Sequence, residues 1–188
     1  MDRREAISRV ALIMGGTLIG AEYLLSGCKP ATANVKVLFD PTHVKLLDEV
    51  GDTILPATKT PGAKDVQIGS FMALMVNDCY NEKDQQVFME GINKLNDACK
   101  QKYSKQFVDC TPAQRTEFLT SLDKEQKIYT KIKWKDQPNH YFRMMKELTL
   151  LGYFTSEAGC TQALRYLPVP GRFDGCIPYK KGDKAWAT

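Results

Sequence analysis

The chain has few residues whose types and spacing could support catalysis. Its two histidines, His43 and His140, lie far apart, and neither has a partner at a metal-ligand spacing such as H-x-x-x-H. No cysteine falls in a C-x-x-C pair, so neither a zinc ribbon nor the attachment motif of c-type haem is predicted. The nucleophile elbow, the dinucleotide fingerprint and the P-loop are also missing. The carboxylates Asp48-Glu49 and Asp123 with Glu125 fit solvated helix faces, so the residues alone predict no catalytic apparatus.

One cysteine, Cys28, is placed for a different chemistry, the attachment of lipid. Leu25 precedes it by three positions, with the small residues Ser26 and Gly27 between them, which is the pattern of a lipobox. Acylation of its sulfur would make Cys28 the first residue of the mature protein. More than one acyl chain gives stable anchoring, because each buried methylene contributes about 0.8 kcal/mol. The alternative is an ordinary cysteine that happens to follow a leader.

The residues before Cys28 have the parts of an export signal. Arg3 and Arg4 form a double arginine in the charged head, and a weakly hydrophobic run interrupted by glycines follows. That run is too short for a spanning helix, which needs about 20 apolar residues. The combination favours a twin-arginine signal, and an ordinary secretory leader is the alternative. We therefore divide the chain into a signal peptide (1–27), a tether (28–38) and a helical domain (39–188) on the periplasmic side of a membrane.

The other five cysteines cannot all pair within one chain. Because their number is odd, at least one thiol stays unpaired or pairs between chains. Export permits disulfides. We expect Cys160 and Cys176 to be the first pair worth testing, since both lie in the turn-rich C-terminal region.

Composition excludes some classes of partner. The formal net charge is +4, and no dense basic block alternates with aromatic residues, so nucleic acid binding is not predicted. The lysines between Lys124 and Lys135 fit a solvated helix face. After the leader no apolar run is long enough to span a bilayer.

Helical spacing of apolar residues dominates the mature chain and predicts a single all-α domain. Asp40-Pro41 and Thr111-Pro112 each place a capping residue before a proline, which marks a helix start. The stretch Glu125–Trp134 is ambiguous between helix and irregular structure. Gly152 is expected to cap the last helix. The other predicted helices run from Pro41 to Ile54, Asp65 to Cys79, Glu82 to Tyr103, Thr111 to Leu122 and Asn139 to Leu151.

The C-terminal region from Tyr153 onward predicts an irregular tail. It is rich in glycine, proline and aromatic residues and lacks helical periodicity. Disordered tails are usually poor in aromatic residues, so these side chains need a surface to pack on. That surface is either the protein's own helices or another subunit, where aromatic residues and arginine often dominate binding energy.

Three segments together resemble a known family. They are the stretches 52–65 (DTILPATKTPGAKD), 146–157 (KELTLLGYFTSE) and 165–176 (RYLPVPGRFDGC). In order and spacing they are similar to the gluconate 2-dehydrogenase subunit 3 family, and the resemblance covers the chain from Phe39 onward. The last segment is the most specific of the three.

The resemblance implies a small, exported, non-catalytic subunit of a membrane-bound dehydrogenase that oxidises gluconate, sugars or polyols. In such complexes a large subunit of the glucose-methanol-choline oxidoreductase type carries FAD, and a c-type cytochrome carrying haem c commonly takes the electrons onward. The small subunit is thought to aid folding, export or stability of the large one. A twin-arginine leader agrees with this role, because FAD is loaded before export. The lipobox suggests that this subunit is also the membrane anchor.

The tail motif is the expected contact with the large subunit. Arg172 could bind a carboxylate through two hydrogen bonds, and Gly171 permits a tight turn. The alternative is that the motif folds back onto the subunit's own core. Two other functions stay open: a lipid-anchored scaffold that works without a dehydrogenase, and an enzyme that uses the thiol of Cys176. The proposed interface comprises Arg165, Tyr166, Pro170, Gly171, Arg172, Phe173 and Asp174.

Overall fold

A computed structural model describes residues 38–169, 171–172 and 175–187, which form an all-α domain as the sequence predicts. Short 3₁₀ helices precede α2 and α4, at Lys64–Val66 and Phe107–Asp109, and a π-helical turn covers Gly159–Ala163. Within the described ranges the β-structure is one isolated bridge between Arg165 and Trp186. The described residues contain five α-helices: α1 (Pro41–Ile54), α2 (Ile68–Cys79), α3 (Glu82–Tyr103), α4 (Pro112–Ile132) and α5 (Tyr141–Thr155).

Side-chain caps explain why two of these helices begin where the sequence predicts. The Asp40 carboxylate accepts hydrogen bonds from the backbone N–H groups of Thr42 at 2.8 Å and His43 at 2.9 Å. At α4 the Thr111 hydroxyl accepts from the Gln114 N–H at 3.3 Å, and the Gln114 side chain accepts from the Thr111 N–H at 2.9 Å. A proline follows each cap, where a missing N–H costs nothing. Both predicted helix starts are confirmed.

The core is built around α5, which contacts each of the other four α-helices. Its side chains Phe142, Met145 and Leu148 are buried against apolar residues such as Leu47 of α1 and Phe88 of α3. This is the apolar stripe that helical spacing predicts for a helix packed on several neighbours. Among the described helices, none combines the length and hydropathy needed to cross a bilayer.

Two helix boundaries differ from the sequence-based expectation. Residues Lys64–Val66 form a 3₁₀ turn, and Gln67 has a φ of +54°, so α2 begins at Ile68 rather than Asp65. The ambiguous stretch from Glu125 is helical through Ile132, although its apolar residues are sparse. Buried Gln126 continues the inner face of α4 there.

The expectation that Gly152 caps the last helix is wrong. Helix α5 continues to Thr155, and Gly152 lies inside it. A Cβ atom at this position would meet Phe71 Cδ1 at 2.4 Å and Ile68 Cδ1 at 2.5 Å. The glycine is therefore explained by the close approach of α2 to α5 rather than by a turn.

Candidate functional site

The C-terminal residues form a closed loop rather than a free tail. The Arg165 N–H donates to the Ala185 carbonyl at 2.8 Å, and the Ala187 N–H donates to the Arg165 carbonyl at 2.9 Å. The Arg165 guanidinium lies over the Trp186 ring, 3.8 Å from its centroid. These contacts join the two ends of a segment that we call the C-terminal loop (residues 165–187).

Further contacts join residues 180–184 of the C-terminal loop to the helical domain and to one another. Lys184 Nζ donates to the carbonyl of Gln162, in the π-helical turn after α5. The Lys180 N–H donates to Asp183 Oδ2 at 2.9 Å, and the Asp183 N–H donates back to the Lys180 carbonyl at 3.0 Å. These two hydrogen bonds close a turn at residues 180–183.

The described side chains of the C-terminal loop lie mostly in solvent. Val169 is 78% exposed and Tyr179 77%, and Tyr166, Leu167 and Ile177 are each about half exposed. A loop that served to lock its own core would bury such residues, because burial of their apolar area provides the stabilisation. These five side chains therefore contribute little buried area to the subunit's own core.

The structure places four of the seven predicted interface residues. Arg165 and Tyr166 begin the C-terminal loop, and Arg172 is exposed further along it. Gly171 has a φ of +72°, which favours glycine and agrees with the predicted turn. The other three, Pro170, Phe173 and Asp174, lie outside the described residues, as do Arg3, Arg4 and Cys28 of the export and lipidation signals.

Cys160 and Cys176 are separate thiols in this structure, one partly buried and the other exposed. Cys160 Sγ lies 3.1 Å from the Phe154 carbonyl oxygen, at the end of α5. The pairing of these two cysteines in the oxidised protein stays a prediction.

Both histidines serve helix starts. His43 Nδ1 accepts from the Asp40 N–H at 3.4 Å, which completes the cap of α1. His140 Nδ1 accepts from the Phe142 N–H at 3.2 Å, and its ring stacks on Tyr141 with 4.4 Å between centroids. Burial lowers the pKa of His140, although Glu125 opposes the shift. Among the described residues no group of three potential metal ligands comes together.

The expectation that Asp48 and Glu49 are solvated is wrong. Asp48 Oδ1 accepts from the Gly69 N–H at 2.7 Å and so binds the first turn of α2. Glu49 is 9% exposed and forms an ion pair with Arg115 of α4. The position of Glu49, between buried Leu47 and Val50, was the available signal in the sequence.

A second candidate contact surface is a groove between α4 and α5. It is lined by Lys127, Lys131, Arg143 and Lys146, with Leu150 at one side. Three of these cations already have carboxylate partners, because Asp123 pairs with Lys127 and Lys146, and Glu147 pairs with Arg143. Because these ion pairs already neutralise three of the cations, the groove is a weaker candidate for partner binding than the C-terminal loop.

Comparison with known proteins gives one family. The family model described as gluconate 2-dehydrogenase subunit 3 matches residues 41–171, which covers the five α-helices and the first part of the C-terminal loop. Comparison with the curated proteins and with the solved structures gave no significant match.

Proposed function

The chain belongs to the gluconate 2-dehydrogenase subunit 3 family, and on that premise we propose that it is the small accessory subunit of a periplasmic, FAD-dependent dehydrogenase. The enzyme would oxidise gluconate, another sugar derivative or a polyol. FAD would be bound by a large subunit of the glucose-methanol-choline type, and haem c by a cytochrome partner. This chain would aid maturation, export or stability of the large subunit and would anchor it through lipid on Cys28.

The observation that carries the proposal is the exposed apolar surface of the C-terminal loop. Its two ends are joined at Arg165 and Trp186, so the positions of these ends are restricted before any partner binds. Exposed aromatic and aliphatic side chains on such a loop suit an interface, because preorganisation lowers the entropic cost of binding. Tyr166 and Arg172 belong to the residue types that most often dominate interface energy.

Co-purification from native membranes tests the assignment. The tagged full chain would be extracted in mild detergent, and the eluate examined for flavin absorbance, haem absorbance and gluconate- or sugar-dependent dye reduction. We expect a stoichiometric large subunit that carries flavin. A colourless, solitary lipoprotein, under conditions that preserve other membrane complexes, would contradict the proposal and favour the scaffold function.

Matched variants separate an interface from a structural role. Tyr166→Ala and Arg172→Ala should reduce recovery of the large subunit about tenfold or more while the melting temperature of the isolated chain stays unchanged. Trp134→Ala is the control, because Trp134 is 80% exposed but follows α4, outside the C-terminal loop. Equal loss of partner in all three variants, or a lowered melting temperature in the loop variants, would contradict the assigned surface.

The membrane anchor is tested separately at Cys28. We expect Cys28→Ala to move the subunit and its partner from the membrane fraction to the soluble fraction while the complex itself persists. Retention of the variant in the membrane would show that the lipid is not the anchor, without bearing on the subunit assignment.

A further inference from the structure

Two buried cysteines lie next to each other where α3 passes into α4. Cys99 is on α3 and fully buried, and Cys110 follows the 3₁₀ helix Phe107–Asp109 and is 4% exposed. After α3 the chain turns back, so that the Phe107 N–H donates to Asn96 Oδ1 at 3.4 Å, one helical turn before Cys99. The Cys110 N–H donates to the Phe107 carbonyl at 3.2 Å, so the short 3₁₀ helix carries Cys110 back towards the turn of α3 that contains Cys99. The Cys110 thiol donates to the Gln106 carbonyl at 3.4 Å, and the proximity of the two buried cysteines is the starting point for a covalent bond between them.

The environment of the two cysteines argues against nucleophilic reactivity and against metal binding. Burial, together with the thiol of Cys110, raises the pKa of Cys99 to about 12. A thiol with so high a pKa stays protonated at neutral pH and is a poor nucleophile and a poor metal ligand. No third histidine, cysteine or carboxylate joins the two thiols within the described part of the chain.

We propose that Cys99 and Cys110 form an intramolecular disulfide when the chain folds in an oxidising compartment. This inference rests on the export that forms part of the proposed function. It differs from the pairing of Cys160 with Cys176 that the sequence suggested first. It would leave Cys79, Cys160 and Cys176 as the three remaining thiols once Cys28 is acylated.

The chemistry is thiol–disulfide exchange. One cysteine of the pair attacks a disulfide of oxidised glutathione or of a protein oxidant as its thiolate, and a mixed disulfide forms with release of one donor thiol. The other cysteine then attacks the protein sulfur and displaces the second donor thiol. Overall, two protein thiols are oxidised to one disulfide, and the donor disulfide is reduced to two thiols. Exchange must precede closure of the core, because the folded pair is buried and protonated.

Such a bond would stabilise the connection between α3 and α4. It would close the short loop from Cys99 to Cys110, which removes conformational freedom mainly from the unfolded chain. The loop contains the 3₁₀ helix whose carbonyl groups at Phe107 and Val108 accept hydrogen bonds from Arg115. The disulfide would therefore hold in place the segment on which α4 is fixed.

Refolding in a redox buffer tests the pairing without relying on export. The purified full chain would be reduced, unfolded, refolded in detergent with reduced and oxidised glutathione, alkylated and mapped by mass spectrometry. We expect the peptide containing Cys99 to be linked to the peptide containing Cys110. The oxidised protein should melt roughly 5–10 °C above the reduced one.

Variants make the result specific. Cys99→Ala and Cys110→Ala should each abolish the redox-dependent shift in melting temperature, whereas Cys79→Ala, which removes an exposed thiol, should retain it. Alkylation of both Cys99 and Cys110 in the oxidising buffer, or a link from either one to another cysteine, would overturn the proposal. The same peptide map on protein extracted from membranes tests export separately. If Cys99 and Cys110 are free thiols in that protein but linked after refolding, export is contradicted and the pairing is supported.

Discussion

Arg115 of α4 forms an ion pair with Glu49 of α1, 66 positions earlier in the chain, and both side chains are largely buried. The same guanidinium donates to the Phe107 carbonyl at 3.1 Å and to the Val108 carbonyl at 2.6 Å. Burial raises the pKa of Glu49, but hydrogen bonds from Lys64 and Arg115 outweigh that effect and keep the carboxyl below its usual pKa. One arginine thus fixes α1, α4 and the 3₁₀ helix between α3 and α4 to one another.

Arg115→Ala should destabilise the protein by about 3–5 kcal/mol, because it leaves Glu49 charged and buried beside the remaining partner Lys64. The change also leaves two backbone carbonyls without their donor. Urea unfolding followed by the helical circular dichroism signal measures the loss. The control is Lys102→Ala, which breaks the exposed Lys102–Glu117 pair and should cost far less, because solvent screens that pair. Similar losses in both variants would contradict the central role of Arg115.

The sequence predicts the helices well because their signals are local. The caps at Asp40 and Thr111 and the apolar spacing act within one or two turns, and the structure confirms them. The Glu49–Arg115 pair joins positions far apart in sequence, so no local pattern identifies Arg115 as the partner of Glu49. The proximity of Cys99 to Cys110 has no sequence signal for a related reason, since it depends on how the chain turns back after Tyr103.

The glycines show the same limit of sequence-based prediction, because contacts between distant segments explain their positions. Gly152 near the end of an apolar stripe is typical of a helix terminus, and the structure instead places it where α2 crosses α5. Composition predicts irregular backbone from Tyr153 onward. The prediction holds for the described residues from Arg165, but it is wrong before that, because α5 continues to Thr155 and Gly159–Ala163 form a π-helical turn. The closure between Arg165 and Trp186 depends on residues 21 positions apart along a segment without periodicity, and such a contact leaves no sequence signal.

Acid should weaken the contact between α4 and α5 at Asp123. Hydrogen bonds from Lys127 and Lys146, each at 2.6 Å, lower the pKa of Asp123 to about 2. The folded-state pKa lies below the unfolded value near 3.9, so this stabilisation is present above about pH 4 and is lost as the pH falls towards 2. Because both lysines are partly exposed, we expect Asp123→Asn to cost about 1 kcal/mol at pH 7.

The measurement is the free energy of unfolding of wild type and Asp123→Asn in urea between pH 2 and pH 7. Other carboxylates titrate over the same range, but the difference between the two proteins isolates Asp123. That difference should shrink towards zero as the pH approaches 2. A difference that stays constant with pH would show that the variant acts through packing instead of charge.

Two glycine substitutions should differ in cost although both glycines are buried in helices. A Cβ atom on Gly91 of α3 would lie 2.3 Å from Tyr141 Cβ and 2.4 Å from Tyr141 Cγ. These atoms are close to the backbone of α5 and cannot move aside without shifting the helix. At Gly152 the added atom would meet the outer atoms of Phe71 and Ile68, which can change rotamer.

We therefore expect Gly91→Ala to destabilise by about 1–3 kcal/mol through overpacking. Gly152→Ala should cost less, because the outer atoms of Phe71 and Ile68 can move away from the added Cβ. The higher helix propensity of alanine, about 1 kcal/mol, offsets part of the cost in both variants. Thermal and urea unfolding of the two variants measure the order. A larger loss for Gly152→Ala would mean that the contact of α2 with α5 is less adaptable than that of α3 with α5.

Trp186→Ala should open the C-terminal loop without unfolding the helical domain. The Trp186 ring carries the contact with the Arg165 guanidinium, and its side chain is 46% exposed, so the contact is worth about 0.5–1 kcal/mol. We expect faster amide hydrogen exchange at Arg165 and Ala187, whose N–H groups close the loop, and a nearly unchanged melting temperature. Because an open loop must be ordered again on binding, affinity for the large subunit should also fall. Trp134→Ala, which removes an exposed tryptophan elsewhere, should leave both exchange and affinity unchanged. Unaltered exchange at Arg165 in Trp186→Ala would show that the backbone bridge alone closes the loop.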